Sequence, residues 1–248
     1  MWGVVPAAGR AQRLQPLRGS KELVPVGGRP VMDFLHDALR AARCGGIRVV
    51  TRPDKDDVVD HAGRLGCEVV LGEPPNVAAS LALGLGGLGR DDVVLFGFPD
   101  TIWEPYDGFT RLLARLDDDA RCDVVLGLFE LEDVRAADEV RCDAVGGVLS
   151  VVPKPADPVG NTTWGCLAAR VGVLDGLSGV TEPGALVDTL ARARPGSVVG
   201  VLLGPGFVDV GTPAGLARAR AEHPNSPEPE GAPLMAALSA DNQPAVEQ

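Results

Sequence analysis

No apolar run in this chain approaches the ~20 residues needed to cross a bilayer, and the opening Met1 to Pro6 lacks the charged segment that heads a signal peptide. A membrane partner is thereby set aside, and the sequence points to the cytoplasm. Basic charge is also scarce, with 23 Lys plus Arg against 34 Asp plus Glu and a formal net charge of −11. A surface of that sign repels polyanions, so nucleic acid is not an expected partner. The five cysteines are scattered without a C-x-x-C pair, which argues against both a disulfide framework and a zinc knuckle. Three isolated histidines, His36, His61 and His223, suggest helix-surface or packing positions, and no nucleophile–base pairing follows from their spacing.

What is present fits one large α/β domain over residues 1–223, since 248 residues at 45% apolar content bury a full core. Gly3 to Ala7 reads as a short buried strand, and Pro30 to Arg43 repeats with helical period. Strand Ile47–Thr51, helix Asp54–Leu65 and strand Cys67–Leu71 continue the alternation, which predicts parallel pairing. Asn76–Leu88 reads as a small-residue helix, and the apolar run Asp92–Phe98 as a central strand covered on both faces. A helix over Asp107–Leu116 and a strand over Asp123–Phe129 follow. Beyond residue 130 the strands shorten, as in Val148–Val152, Val198–Leu203 and Phe207–Val210, with helices at Gly184–Arg194 and Pro213–Glu222. The Pro-, Glu-, Asn- and Ser-rich segment 224–248 predicts a flexible tail.

In open α/β sheets ligands bind beyond the carboxyl ends of the strands, so the loop after the first strand and the residues after Phe98 should share a crevice. That loop, Pro6 to Lys21, offers small residues Ala7, Ala8 and Gly9, where a phosphate chain can approach the backbone. It then offers four cations, Arg10, Arg13, Arg18 and Lys21. A dinucleotide-binding loop would require G-x-G-x-x-G, but the three positions hold Ala7, Gly9 and Gln12, and Thr51-Arg52 stands where an acid is expected.

The run Ala7-Ala8-Gly9-Arg10-Ala11-Gln12-Arg13-Leu14-Gln15-Pro16-Leu17, with Ser20-Lys21-Glu22-Leu23-Val24-Pro25 after it, resembles the signature of the sugar-1-phosphate nucleotidyltransferases. Phe98-Pro99-Asp100, Val152-Pro153-Lys154-Pro155 and Phe207-Val208-Asp209-Val210-Gly211-Thr212-Pro213 are similar to three further motifs of that family, in the expected order. Departures accompany the matches. Ala11 and Gln12 replace a Gly and a Thr, Pro153 replaces a Glu, and the base-reading segment corresponds to Asn76-Val77-Ala78-Ala79, without its glutamine.

The resemblance implies a Rossmann-like nucleotidyltransferase fold, a mixed and mainly parallel sheet flanked by helices, with an acceptor lobe inserted at about residues 130–205. It implies NTP plus sugar 1-phosphate giving NDP-sugar plus pyrophosphate, with TTP or UTP as donor, and no room for an appended domain. A cytidylyltransferase for another phosphate or a phosphonate stays open. So do a non-catalytic sugar-nucleotide-binding regulator and assembly as a homo-oligomer. Arg13 suits the leaving phosphates through its planar fork and Lys21 the α-phosphate as a movable point charge. Ala7, Ala8, Gly9, Arg10, Asn76 and Ala78 are the expected nucleotide-binding residues. Asp100 and Asp209 are the expected Mg²⁺ ligands. Glu139, Lys154, Thr163 and Trp164 are assigned to the acceptor, with a core position for Trp164 as the alternative.

Overall fold

The computed structural model describes residues 1–17 and 19–224; Arg18 and residues 225–248, which hold most of the tail expected to be flexible, lie outside the described residues. Strand β1 (Trp2–Pro6) is followed by 3-10 turns at Gln12–Leu14 and Lys21–Leu23, the short strands β2 (Pro25–Val26) and β3 (Arg29–Pro30), and helix α1 (Met32–Ala41). Next come β4 (Gly46–Thr51), α2 (Asp56–Arg64), β5 (Glu68–Leu71), α3 (Val77–Gly84), β6 (Val93–Gly97) and β7 (Thr101–Trp103). Helix α4 (Gly108–Asp118) leads to β8 (Val124–Glu130), β9 (Asp138–Cys142), β10 (Val148–Pro153) and β11 (Thr162–Arg170). A 3-10 segment (Val171–Gly179), α5 (Pro183–Ala193), β12 (Val198–Gly204), β13 (Phe207–Asp209) and α6 (Pro213–Glu222) complete the order.

Seven strands form one sheet in the order β12-β8-β11-β6-β1-β4-β5. β11 alone runs antiparallel to its neighbours, β6 and β8, so the sheet is mixed and mainly parallel, as expected. Successive residues of one strand feed opposite layers. Val5 and Leu95 pack with Leu35, Leu39, Phe109 and Leu112 on one face, while Val4 and Phe96 pack with Leu81, Leu174 and Leu186 on the other. Helices on both faces are what permit these strands to be apolar throughout rather than alternating.

Five strands escaped the sequence reading, the two-residue β2 and β3 and also β7, β9 and β11, and the segment 130–205 contains two strands of the main sheet, β11 and β12. Only the β9–β10 hairpin of that segment forms a sheet of its own. Helix α3 ends at Gly84 rather than continuing to Leu88, the chain turning through Gly87 at a φ of 77°. At Gly84 a Cβ would lie 2.6 Å from a Val4 methyl, so the bare backbone sets how closely α3 approaches the sheet. Among the described residues no helix is long and apolar enough to cross a membrane.

Candidate active site

β1 lies in the middle of the parallel strands, and the chain leaves its carboxyl end as the loop expected to bind phosphate. The last group of this loop to belong to the core is Ala7, which is buried and donates its N–H to the Val50 carbonyl. It has no backbone donor left for a ligand, contrary to expectation. Beyond it Ala8, Gly9, Arg10, Ala11 and Arg13 line a cleft of about 720 Å³ together with Lys21 and Asp100. That volume suits a small-molecule ligand of nucleotide size. Gly9 is placed over the Lys21 stem, where a Cβ would meet Lys21 Cε at 3.4 Å.

Asp100 follows β6, and Asp209 ends β13. The short β7–β13 ladder pairs Asp209 with Thr101, and the Val210 N–H donates to the Asp100 carbonyl at 2.8 Å, so two residues distant in sequence share one corner of the cleft. Gly211 lies between their side chains. A Cβ there would sit 2.8 Å from an oxygen of each carboxylate and 3.1 Å from the Arg13 guanidinium. The two carboxylates are therefore no farther apart than twice that distance, and only glycine leaves the space between them open.

Each carboxylate faces a cation. Lys21 Nζ donates to Asp100 Oδ2 at 2.6 Å, and Arg13 contacts Asp209 Oδ2 at 3.4 Å. Burial opposes the charge on Lys21, but the Asp100 carboxylate outweighs it and holds the ammonium above its ordinary pKa. The arrangement places two positive and two negative groups at the end of the phosphate loop, in a partly desolvated setting where charge acts more strongly than in water.

The other end of the cleft is built by β4, β5 and α3. Asn76 lines it, as expected, but its Oδ1 is engaged as the N-cap of α3, accepting from the Ala79 N–H at 2.8 Å. Ala78 points into the core and does not reach the cleft. Arg52, Glu73, Val77, Ser80 and Phe98 line it instead. Arg52 had drawn notice only as a residue unsuited to a dinucleotide fold.

The four residues assigned to the acceptor are not brought together there. Trp164 is buried on β11 against Phe96 and Phe98, its indole N–H donating to Asp138 Oδ2 at 3.0 Å, and Thr163 is buried beside it. The core alternative for Trp164 is the one observed. Its contact with the cleft is indirect, through Phe98. Glu139 is also wholly buried; it accepts from the Val159 and Gly160 N–H groups and from Arg141, so every polar atom is committed to holding the loop around residue 160. The Arg141 guanidinium holds its carboxyl below the usual range against the effect of burial. Lys154 is exposed at a φ of 42°, makes no ion pair among the described residues, and lies outside the lining of the cleft.

A mainly parallel sheet covered on both faces, with a loop–cation–carboxylate cleft at the carboxyl ends of its strands, is the architecture of a nucleotide-binding α/β protein. Residues 3–133, just over half of the chain, match the MobA-like NTP transferase domain, and the chain belongs to that family. It is 28% identical over 167 residues to a glucose-1-phosphate thymidylyltransferase of Streptomyces griseus, a match covering 64% of this chain and 46% of the relative. It is 26% identical over 170 residues to the low-salt glycan biosynthesis nucleotidyltransferase Agl11 of Haloferax volcanii, covering 65% and 46%. The chain thus spans about half the length of these curated relatives. Among solved structures, a UDP-glucose pyrophosphorylase complexed with UDP-glucose superposes with a TM-score of 0.78 at 15% identity, over 90% of this chain and 97% of that one. At that identity the likeness concerns the fold.

Proposed function

We propose that this chain is a cytoplasmic nucleotidyltransferase that joins a nucleoside monophosphate from an NTP to a sugar 1-phosphate and releases pyrophosphate. The observation that supports it most is the convergence of Lys21–Asp100 and Arg13–Asp209 around Gly211 at the end of the phosphate loop. In the reaction an acceptor phosphate oxygen forms a bond to the α-phosphorus. The bond from that phosphorus to the bridging oxygen breaks, and its electron pair leaves with pyrophosphate. No proton needs to be removed from the nucleophile, so the protein's part is placement and neutralisation of charge. Arg13 is assigned to the leaving phosphates and Lys21 to the α-phosphate. Lys154, free of ion pairs among the described residues, is the cation assigned to the acceptor's phosphate.

Asp100 and Asp209 fit Mg²⁺: both offer hard carboxylate oxygens, and Gly211 leaves the space between them open. Among the described residues no group of three or more His, Cys, Asp and Glu forms a metal cluster, so phosphate oxygens and water would complete the ligand set. When bound, the ion would neutralise charge on the phosphates. The donor is assigned as UTP or TTP, in keeping with the thymidylyltransferase relative.

Incubation of the full chain with each NTP and a panel of sugar 1-phosphates, following pyrophosphate, tests the proposal. The expected outcome is Mg²⁺-dependent release with UTP or TTP, abolished by EDTA and restored by added Mg²⁺. Release with a purine triphosphate or CTP alone overturns the donor assignment, and no release with any pair overturns the reaction.

A further inference from the structure

Lysine occurs three times in this chain, at Lys21, Lys55 and Lys154, against twenty arginines. Lys21 and Lys154 carry roles in the proposed reaction. Lys55 carries none, yet it stands immediately before helix α2 with its side chain only 12% exposed. Its Nζ donates to two oxygens, Glu22 Oε2 at 2.8 Å and the Ala7 carbonyl at 2.9 Å. Glu22 is the residue next to Lys21, and Ala7 is where β1 becomes the phosphate loop. Glu22 is completely buried, and its second oxygen, Oε1, has no hydrogen-bond partner among the described residues.

On the other side of Lys21 the same helix reaches Ser20. Asp57 Oδ2 accepts from the Ser20 N–H and Asp57 Oδ1 from the Ser20 hydroxyl, both at 2.8 Å. Lys21 is thus flanked by two residues that are each tied to the first turn of α2 by charge-assisted bonds. Neither Lys55, Glu22 nor Asp57 lines the cleft, so none can touch a ligand there.

We infer that the start of α2 is a positioning device for Lys21: Asp57 and Lys55 clamp its two neighbours, and Lys55 ties the same turn to the phosphate loop through Ala7. A buried ion pair is a poor means of gaining stability, since two apolar side chains of similar size fill the same volume without the desolvation penalty. What the pair supplies is direction. A lysine has four rotatable side-chain bonds, and an ammonium that must stand at one point requires a fixed Cα. Arginine could not replace Lys55 with the same contacts, because its planar fork directs its donors apart, whereas one ammonium bonds the carboxylate and the carbonyl together. The inference rests on the assignment of Lys21 to the α-phosphate.

The test uses the full chain labelled with ε-¹³C-lysine, in which the three lysines give three ε-methylene signals, assigned with Lys21→Arg and Lys154→Arg. Asp57→Ala and Glu22→Gln are compared with the unmodified chain. The expected result is that the Lys21 signal moves toward the position of a free lysine while the Lys154 signal stays. Turnover should fall about tenfold with the KM for NTP changed less than about threefold, and neither substitution should lower turnover further in a Lys21→Ala background. Should Glu22→Gln fail to fold, Asp57→Ala, at a partly buried rather than a wholly buried position, carries the test. An unmoved Lys21 signal in a folded Asp57→Ala chain overturns the inference, as do losses that add to that of Lys21→Ala. If the signal moves but Lys21→Ala turns over normally, the clamp stands and the role given to Lys21 falls.

Discussion

Asp100 and Asp209 are positioned by backbone pairing and neutralised by cations, so each can lose its charge without losing its place. Replacement of either by Asn keeps the size and removes a ligand charge. We expect Asp100→Asn and Asp209→Asn each to lower kcat about 100-fold or more, with the double variant scarcely worse, because two groups acting on one ion fail together. Steady-state rates at saturating Mg²⁺ and NTP check this, and simple addition of the two losses would show that the carboxylates do not share a task. Stability should respond unequally. Asp100→Asn leaves the largely buried Lys21 ammonium without its counter-charge, a loss of about 1–3 kcal/mol, whereas the Arg13–Asp209 pair is exposed and contributes little. Arg13, Lys21, Asp100 and Asp209 could be singled out in the sequence because they stand in motifs that occur in the order of a known family, and Asp209 also because a charge inside an apolar strand conflicts with packing. Glu22 and Lys55 were not, since their partners are fixed only by the fold. The scarcity of lysine was the signal that went unused. Trp164, a large aromatic beside a motif, left two readings open in the sequence, and its burial against Phe96 and Phe98 answers to the core one.

At the scale of elements, α3 both covers the sheet and walls the cleft, and Asn76 caps it. Asn76→Ala should destabilise the protein by about 1 kcal/mol, lowering Tm by about 2–4 °C, through loss of the bond to the Ala79 N–H. A thermal melt reads the effect, and an unchanged Tm would mean that solvent or a neighbouring group satisfies the same donor. The helices were legible because their apolar residues recur with period 3.6, and the parallel strands because continuous Val, Leu and Ile runs are rare outside doubly covered sheets. β11 was hidden for a physical reason. Thr162–Arg170 holds Gly, Cys and two Ala, small residues without strand preference, and it is buried on both faces, so it shows no alternation. β9 carries Asp, Glu and Arg at a strand's positions, because Glu139 turns inward to bond the neighbouring loop. β7, with three residues, is too short to show a period.

For the molecule as a whole, the cysteines report on how completely the fold closes. Burial pushes the Cys44 and Cys67 thiols up to about 11, and Cys166, fully enclosed, higher still. The thiolate is the reactive form, so raising a thiol's pKa lowers its reactive fraction at a given pH. At pH 8 a disulfide reagent such as Ellman's should therefore react slowly with the native chain, and with all five thiols rapidly once denaturant is added. Fast native reaction of more than one thiol would indicate local opening. The order of the sheet has a consequence for the sequence of events by which it is built. β8 emerges at residue 124 but is bonded on one side to β11 and on the other to β12, never to β6. As the chain is synthesised, β5, β4, β1 and β6 can therefore assemble while β8 has no partner within the sheet. The strand that joins the two groups is complete only at Arg170, and the carboxylate of Asp209 arrives later again. A nascent chain must in this way keep an apolar strand unpaired for some forty residues of synthesis, which makes that interval its most aggregation-prone stage.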